Sequence, residues 1–190
     1  QAVRTYSPMP IAIQLAHAGR KASHKLPWQG GTQIKSTEHE GWVTSAPSAI
    51  PFAQGTEAPM ALDRAGLDRV KTAFARAAKR AVNIGLDAIE IHSAHGYLLH
   101  EFLSPLSNRR DDDYGGPLAN RLRFPLEILD TIKENLQEAG FDEARVSFLI
   151  RRLFQVWGFY AMARYPSLRR RAKKKVRVFI QKEFDFPQDE

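Results

Sequence analysis

The sequence contains no cysteine. Disulfides, thiolate metal sites and a cysteine nucleophile are therefore excluded for this chain, and its chemistry is compatible with a reducing, cytoplasmic compartment. An apolar run able to cross a bilayer is also missing. The best stretch, Val146 to Ala163, is interrupted by Arg151 and Arg152 and falls short of the roughly 20 residues a spanning helix needs. The N-terminus, Gln1-Ala-Val-Arg-Thr-Tyr6, has neither the basic segment nor the apolar run of a secretory signal. It has no initiating methionine either, so the chain is expected to start inside a longer gene product. No internal repeat is found. Acidic residues are absent from the whole stretch between Arg151 and Lys182.

That last absence explains the net charge of +7. Residues 1–150 hold 17 basic and 17 acidic residues, whereas residues 151–190 hold 11 and 4. The basic character belongs to the tail, so a domain boundary is expected near Ile150. Residues 1–150 form the first region, and residues 151–190 form a basic tail unrelated to it, disordered or arising from a truncated or misjoined reading frame. The triplets Arg169-Arg-Arg171 and Lys173-Lys-Lys175 raise a second functional reading: a nucleic-acid-docking segment or an import signal on a protein-interaction module. A solvated tail is the preferred account, with nucleic acid and membrane not expected as partners. The 43% hydrophobic and 26% charged content lacks the charge excess of a disordered chain, so a folded region is expected.

Residues Ile11 to Leu15 (IAIQL) read as a buried strand of a parallel sheet. A Gly-, Pro- and Ser-rich excursion from Ala16 to about Pro59 follows, of the kind that carries sites in compact enzymes. Asp63 is the expected N-cap of an amphipathic helix with Leu67, Val70, Phe74, Ala77, Ala81 and Val82 on one face and Gly85 at its stop. Ala88 to His92 is the next strand. A second helix is expected from Pro117, with Phe124, Ile128, Leu129, Ile132 and Leu136 on its inner face and a kink at Pro125. Arg145 to Ile150 closes the series as a third strand. Alternating strands and helices predict an α/β fold with a parallel sheet and helices outside.

The chemistry concentrates at one point. In a parallel α/β barrel, catalytic groups sit where strands end and βα loops begin. His92 stands at such an end, and His95 and Tyr97 follow within six residues. Two imidazoles can donate hydrogen bonds to one oxygen and stabilise negative charge on a carbonyl or nitro group. A nearby phenol can serve as general acid. This set suits addition across a polarised double bond better than hydrolysis, and the part it lacks is a hydride source. Asp111-Asp-Asp113 has a metal cluster's composition but reads as a solvated loop.

Four strings, IAIQLAHAGRKAS (Ile11 to Ser23), SAIPF (Ser48 to Phe52), IEIHSAHGYLLHEFLSPLSNRR (Ile89 to Arg110) and YGGPLANRLRFPLEI (Tyr114 to Ile128), resemble the old yellow enzyme family. The resemblance covers most of residues 1–150 and implies FMN as cofactor, NAD(P)H as reductant and small activated alkenes as substrates. It implies part of a (β/α)8 TIM barrel, about strands three to five with their helices. Carried over by motif, Gln14 resembles the glutamine that contacts the flavin pyrimidine edge. His92 and His95 resemble the pair that binds the substrate oxygen, and their His/His character is similar to the xenobiotic-reductase branch. Tyr97 resembles the proton donor, and Arg145 the arginine near flavin N1. His17, Arg20 and His100 also fit the motifs and are assigned loop or packing roles.

A full barrel takes about 250 residues, with phosphate contacts after its last strands. The first two units are expected upstream of Gln1, and beyond Ile150 the resemblance ends. An unclosed sheet leaves bare edges that invite pairing, so a homo-oligomer is a possible state.

Overall fold

The computed structural model describes residues 2–141. The expectations for Arg145, for a strand over residues 145–150 and for the tail lie outside these residues. The described elements fall within the unit Gln1–Leu149.

A short helix, α1 (Ala2–Tyr6), precedes β1 (Ala12–Leu15). The excursion after β1 carries 3-10 turns at Gly19–Lys21 and Pro27–Gln29. Two-residue strands β2 (Ser45–Ala46) and β3 (Met60–Ala61) then pair in parallel. They are followed by α2 (Arg64–Asn83), β4 (Ala88–Ile91), α3 (Leu98–Leu103) and α4 (Leu118–Glu138). Sequence and structure agree on the kinds and order of the main elements.

The helix α2 begins where expected. Asp63 has extended backbone, and its Oδ1 accepts a hydrogen bond from the Gly66 N–H at 2.7 Å, filling one of the donors a helix start leaves open. It stops at Gly85, whose φ of +80° and N–H to the Val82 carbonyl turn the chain sharply. Its buried stripe is broader than the sequence pattern: Ala75 and Ala78 are buried, while Ala77 is half-buried. The helix α4 runs past Pro125, which is itself buried and forgoes one backbone bond. Phe124, Ile128, Ile132 and Leu136 face inward, with Leu129 at the margin. Between helices, the rings of Phe102 and Phe124 pack at 4.4 Å and Tyr114 meets Phe124 edge-on at 6.1 Å. Each buried aromatic of this kind contributes about 2–3 kcal/mol by area.

β1 and β4 pair in parallel, with Gln14 opposite Glu90 and Leu15 opposite Ile91. The ladder continues one step, since the His92 N–H donates to the Leu15 carbonyl at 2.8 Å. Because side chains alternate along a strand, Ile89 and Ile91 turn to the helices and are buried. Ala12, Gln14, Glu90 and His92 share the opposite face. One expectation is corrected here. β1 is not buried: Ala12, Ile13 and Gln14 are exposed and Leu15 is half-buried. The physical reason is that, among the described residues, β1 has β4 as its only strand neighbour, so its outer edge meets solvent.

Asp87 ties the N-terminal segment down. It accepts from the Ile11 N–H at 2.8 Å and pairs with Arg4 at 2.7 Å.

Candidate active site

His92 follows the last residue of β4 and is 9% exposed. The loop that leaves the strand turns through two left-handed residues, His95 at φ +57° and Gly96 at φ +74°. The turn brings the His95 ring back, 5.0 Å from that of His92, with His95 Nδ1 and His92 Nε2 at 3.3 Å. Tyr97 then forms the N-cap position of α3 and lays its ring 4.8 Å from His92. Its hydroxyl has no hydrogen-bond partner among the described residues, so the bond to a backbone carbonyl that a packing role would give is not seen. The structure thus brings together the three residues that the sequence placed within one strand-end loop.

Burial lowers the pKa of His92, with the neighbouring His95 adding to the effect and Glu90 opposing it. His92 is therefore neutral at pH 7. A neutral imidazole has one N–H to give, and in this pair one ring donates to the other. The expectation that both rings donate to a single oxygen gains a condition: the contact between the rings must open for the oxygen to enter.

Gln14 stands on the same strand face as His92, one strand away and two residues back in register. It is exposed, and no partner hydrogen-bonds its amide among the described residues. An amide offers both donors and an acceptor, which fits the alternating donor and acceptor edge of a flavin. Gln14 also borders a cleft of about 470 Å³ that reaches His17, Arg69 and Phe74. The Arg145 expectation lies outside the described residues.

The loops after β1 and β4 are joined. The Leu98 N–H donates to the His17 carbonyl at 3.0 Å. The Arg20 N–H donates to Glu101 Oε1 at 3.0 Å, while Oε2 is buried without a partner. Burial raises the Glu101 carboxyl pKa to about 7 against the opposing pull of Arg20 and Lys21. Gly19 makes this approach possible, because a Cβ there would overlap the carboxyl group. His17 accepts the Gly19 N–H on Nδ1 at 3.1 Å, and burial depresses its pKa. The loop and packing roles expected for His17 and Arg20 agree with these contacts.

Sequence reasoning passed over Glu101, Gly19 and Lys21. The available signal was a lone acid in the apolar LLHEFL segment and a cation pair directly after a strand-end glycine.

The acidic triplet serves an anchoring role through Asp112. Its carboxylate binds Arg110, which lowers its pKa, and accepts the Tyr114 N–H at 3.1 Å. Arg110 in turn reaches the Pro47 and Leu62 carbonyls at 2.9 and 2.6 Å. No cluster able to hold a metal occurs among the described residues. No described helix is long and apolar enough to cross a membrane.

Residues 1–151 match the family described as NADH:flavin oxidoreductase / NADH oxidase. An NADH:flavin oxidoreductase of Gibberella zeae is 48% identical over 140 residues, covering 72% of this chain and 34% of that protein. An NADPH dehydrogenase of Geobacillus sp. is 48% identical over 124 residues, covering 65% and 32%. Among solved structures, Old Yellow Enzyme from Pichia sp. AKU4542 superposes with a TM-score of 0.55 at 33% identity, over 66% of this chain and 32% of that one. The chain thus spans about a third of the length of the relatives it matches. The parallel β1–β4 pair, its outer helices and the His92-His95-Tyr97 loop are a segment of the (β/α)8 barrel these proteins share. The chain belongs to the NADH:flavin oxidoreductase / NADH oxidase family, whose cofactor is FMN.

Proposed function

We propose that this chain carries the substrate-activating corner of an FMN-dependent NAD(P)H oxidoreductase that reduces activated alkenes, α,β-unsaturated carbonyl compounds in particular. The observation that carries the reading is the convergence of His92, His95 and Tyr97 at the end of β4. Gln14 stands on the same strand face. When bound, FMN supplies the hydride for the substrate's β-carbon after NAD(P)H has reduced it.

The chain's own residues supply the rest. Gln14 would hold one edge of the flavin. His92 and His95 exchange their mutual hydrogen bond for two bonds to the carbonyl oxygen, so negative charge that builds there meets aimed N–H groups. Because the accepting nitrogen of that pair carries no proton, its ring must present its other tautomer as the oxygen enters. Tyr97, with its hydroxyl unengaged by the described residues, delivers a proton to the α-carbon. Hydride to one carbon and proton to the other complete the reduction. Arg145 is retained as a proposed second flavin contact. A reducing, cytoplasmic setting is proposed, with which the lack of cysteine is compatible. We further propose that the boundary near Ile150 separates the barrel segment from a tail that takes no part in the reaction.

Titration of the purified chain with FMN, followed by NADPH oxidation in the presence of cyclohexenone, tests the proposal. Quenched flavin fluorescence and alkene-dependent NADPH consumption are expected. A chain that leaves FMN fluorescence unchanged and NADPH intact would refute this activity for it.

A further inference from the structure

Lys21 stands between the two strand-end loops. The Lys21 ammonium donates to the His95 carbonyl at 2.7 Å. We propose that Lys21 is a positioning residue: by holding the His95 carbonyl it fixes the 95–96 peptide group and thereby sets the His95 ring against His92.

Both ends of that one peptide group are held. Its carbonyl accepts from Lys21, and its N–H, which belongs to Gly96, donates to His100 Nδ1 at 2.8 Å. A clamp is needed because His95 sits in the left-handed region at φ +57° without being glycine, a conformation that persists only where its surroundings enforce it. His100 can accept only while neutral. Burial lowers its pKa, and the Lys21 charge acts in the same direction, so the cation supports both bonds.

Lys21 is itself well placed. Its ammonium lies 4.8 Å from the centre of the Phe52 ring, a cation–π distance. Gly96 leaves it room, since a Cβ there would stand 3.2 Å from both Cε and Nζ of Lys21. The 3-10 turn that carries Lys21 is pinned at Arg20 by Glu101. The strand-end loop after β1 therefore determines where the ring of a residue after β4 points. The importance of this for catalysis rests on the proposed alkene-reducing role of His95, whereas the clamp itself does not.

The test compares the full chain with Lys21→Met and Lys21→Arg by NMR, without FMN. Loss of a charge-assisted hydrogen bond is expected to speed Gly96 amide exchange about tenfold. It should also shift the His95 carbonyl carbon, and Lys21→Arg should restore most of both effects. Protection of the Ile128 amide in α4 reports that the fold is intact. Where Lys21→Met also loses that protection, Lys21→Leu, which likewise has no donor, is read in its place. Unchanged Gly96 exchange and an unchanged His95 carbonyl signal in a folded variant would overturn the proposal. In the FMN-loaded chain, Lys21→Met should lower kcat with FMN affinity unaltered. A chain that takes up no FMN would count against the proposed activity while the exchange result still decides the clamp.

Discussion

Replacing Glu101 with glutamine should make the chain's stability less dependent on pH, in a direction the structure fixes. The carboxyl is 1% exposed, accepts one N–H from Arg20 and has a second oxygen without a partner. Burial moves its pKa from an ordinary 4.5 to about 7. The folded chain therefore binds this proton more tightly than the unfolded chain does. The associated stability is fully present below pH 4.5 and is lost as pH rises through 7. Each pH unit between the two values is worth about 1.4 kcal/mol, so the loss approaches about 3 kcal/mol by pH 8. Glutamine keeps an acceptor for Arg20 and cannot ionise. Urea unfolding of both proteins at intervals from pH 4 to pH 8 gives the difference curve, in which titrations common to the two cancel. The variant should gain on the parent by about 3 kcal/mol across that range. A flat difference curve, or one in which the variant loses ground as pH rises, would refute a buried, proton-holding Glu101.

Gly19→Ala places a Cβ against the Glu101 carboxyl at a left-handed φ of +61°. It should cost about 3 kcal/mol of stability by thermal or urea melts. Asn108→Ala strips the donor that serves the Phe102 and Tyr114 carbonyls at 2.7 and 2.8 Å. With those carbonyls buried, a loss of about 2–3 kcal/mol is expected from the same melts. Gln14→Leu removes an exposed amide, so FMN affinity should fall by about tenfold in a fluorescence titration while the melting curve stays within error of the parent.

Helices and strand order were legible because they depend on local signals. Asp63 before an apolar stripe and Gly85 after it define α2 without reference to anything distant. His92, His95 and Tyr97 were legible for a related reason, as six consecutive positions of one loop bring them together. Burial of β1 was misread because an apolar run reports what a strand is suited to, whereas burial depends on neighbours far away in sequence. The partnerships of Glu101 with Arg20 and of Lys21 with His95 span 81 and 74 positions. A single charged side chain carries no mark of which distant carbonyl or amide it will meet.

The bonds between the strand-end loops also determine where this chain tolerates change in length. Residues 17–21 are fastened to residues 95–101 by a backbone bond, a buried carboxyl and an ammonium. One residue added within either stretch would put at least one of the three out of alignment and disturb the setting of the His95 ring, even though the β1–β4 ladder could stay paired. The excursion near Lys35 to Gly41 is closed by its own short-range bonds and by Ser36, which donates to Glu57 rather than to either strand-end loop. Insertions there should pass without a signal at His95, so variation in loop length is expected to gather in residues 35–41 and to spare residues 17–21 and 95–101.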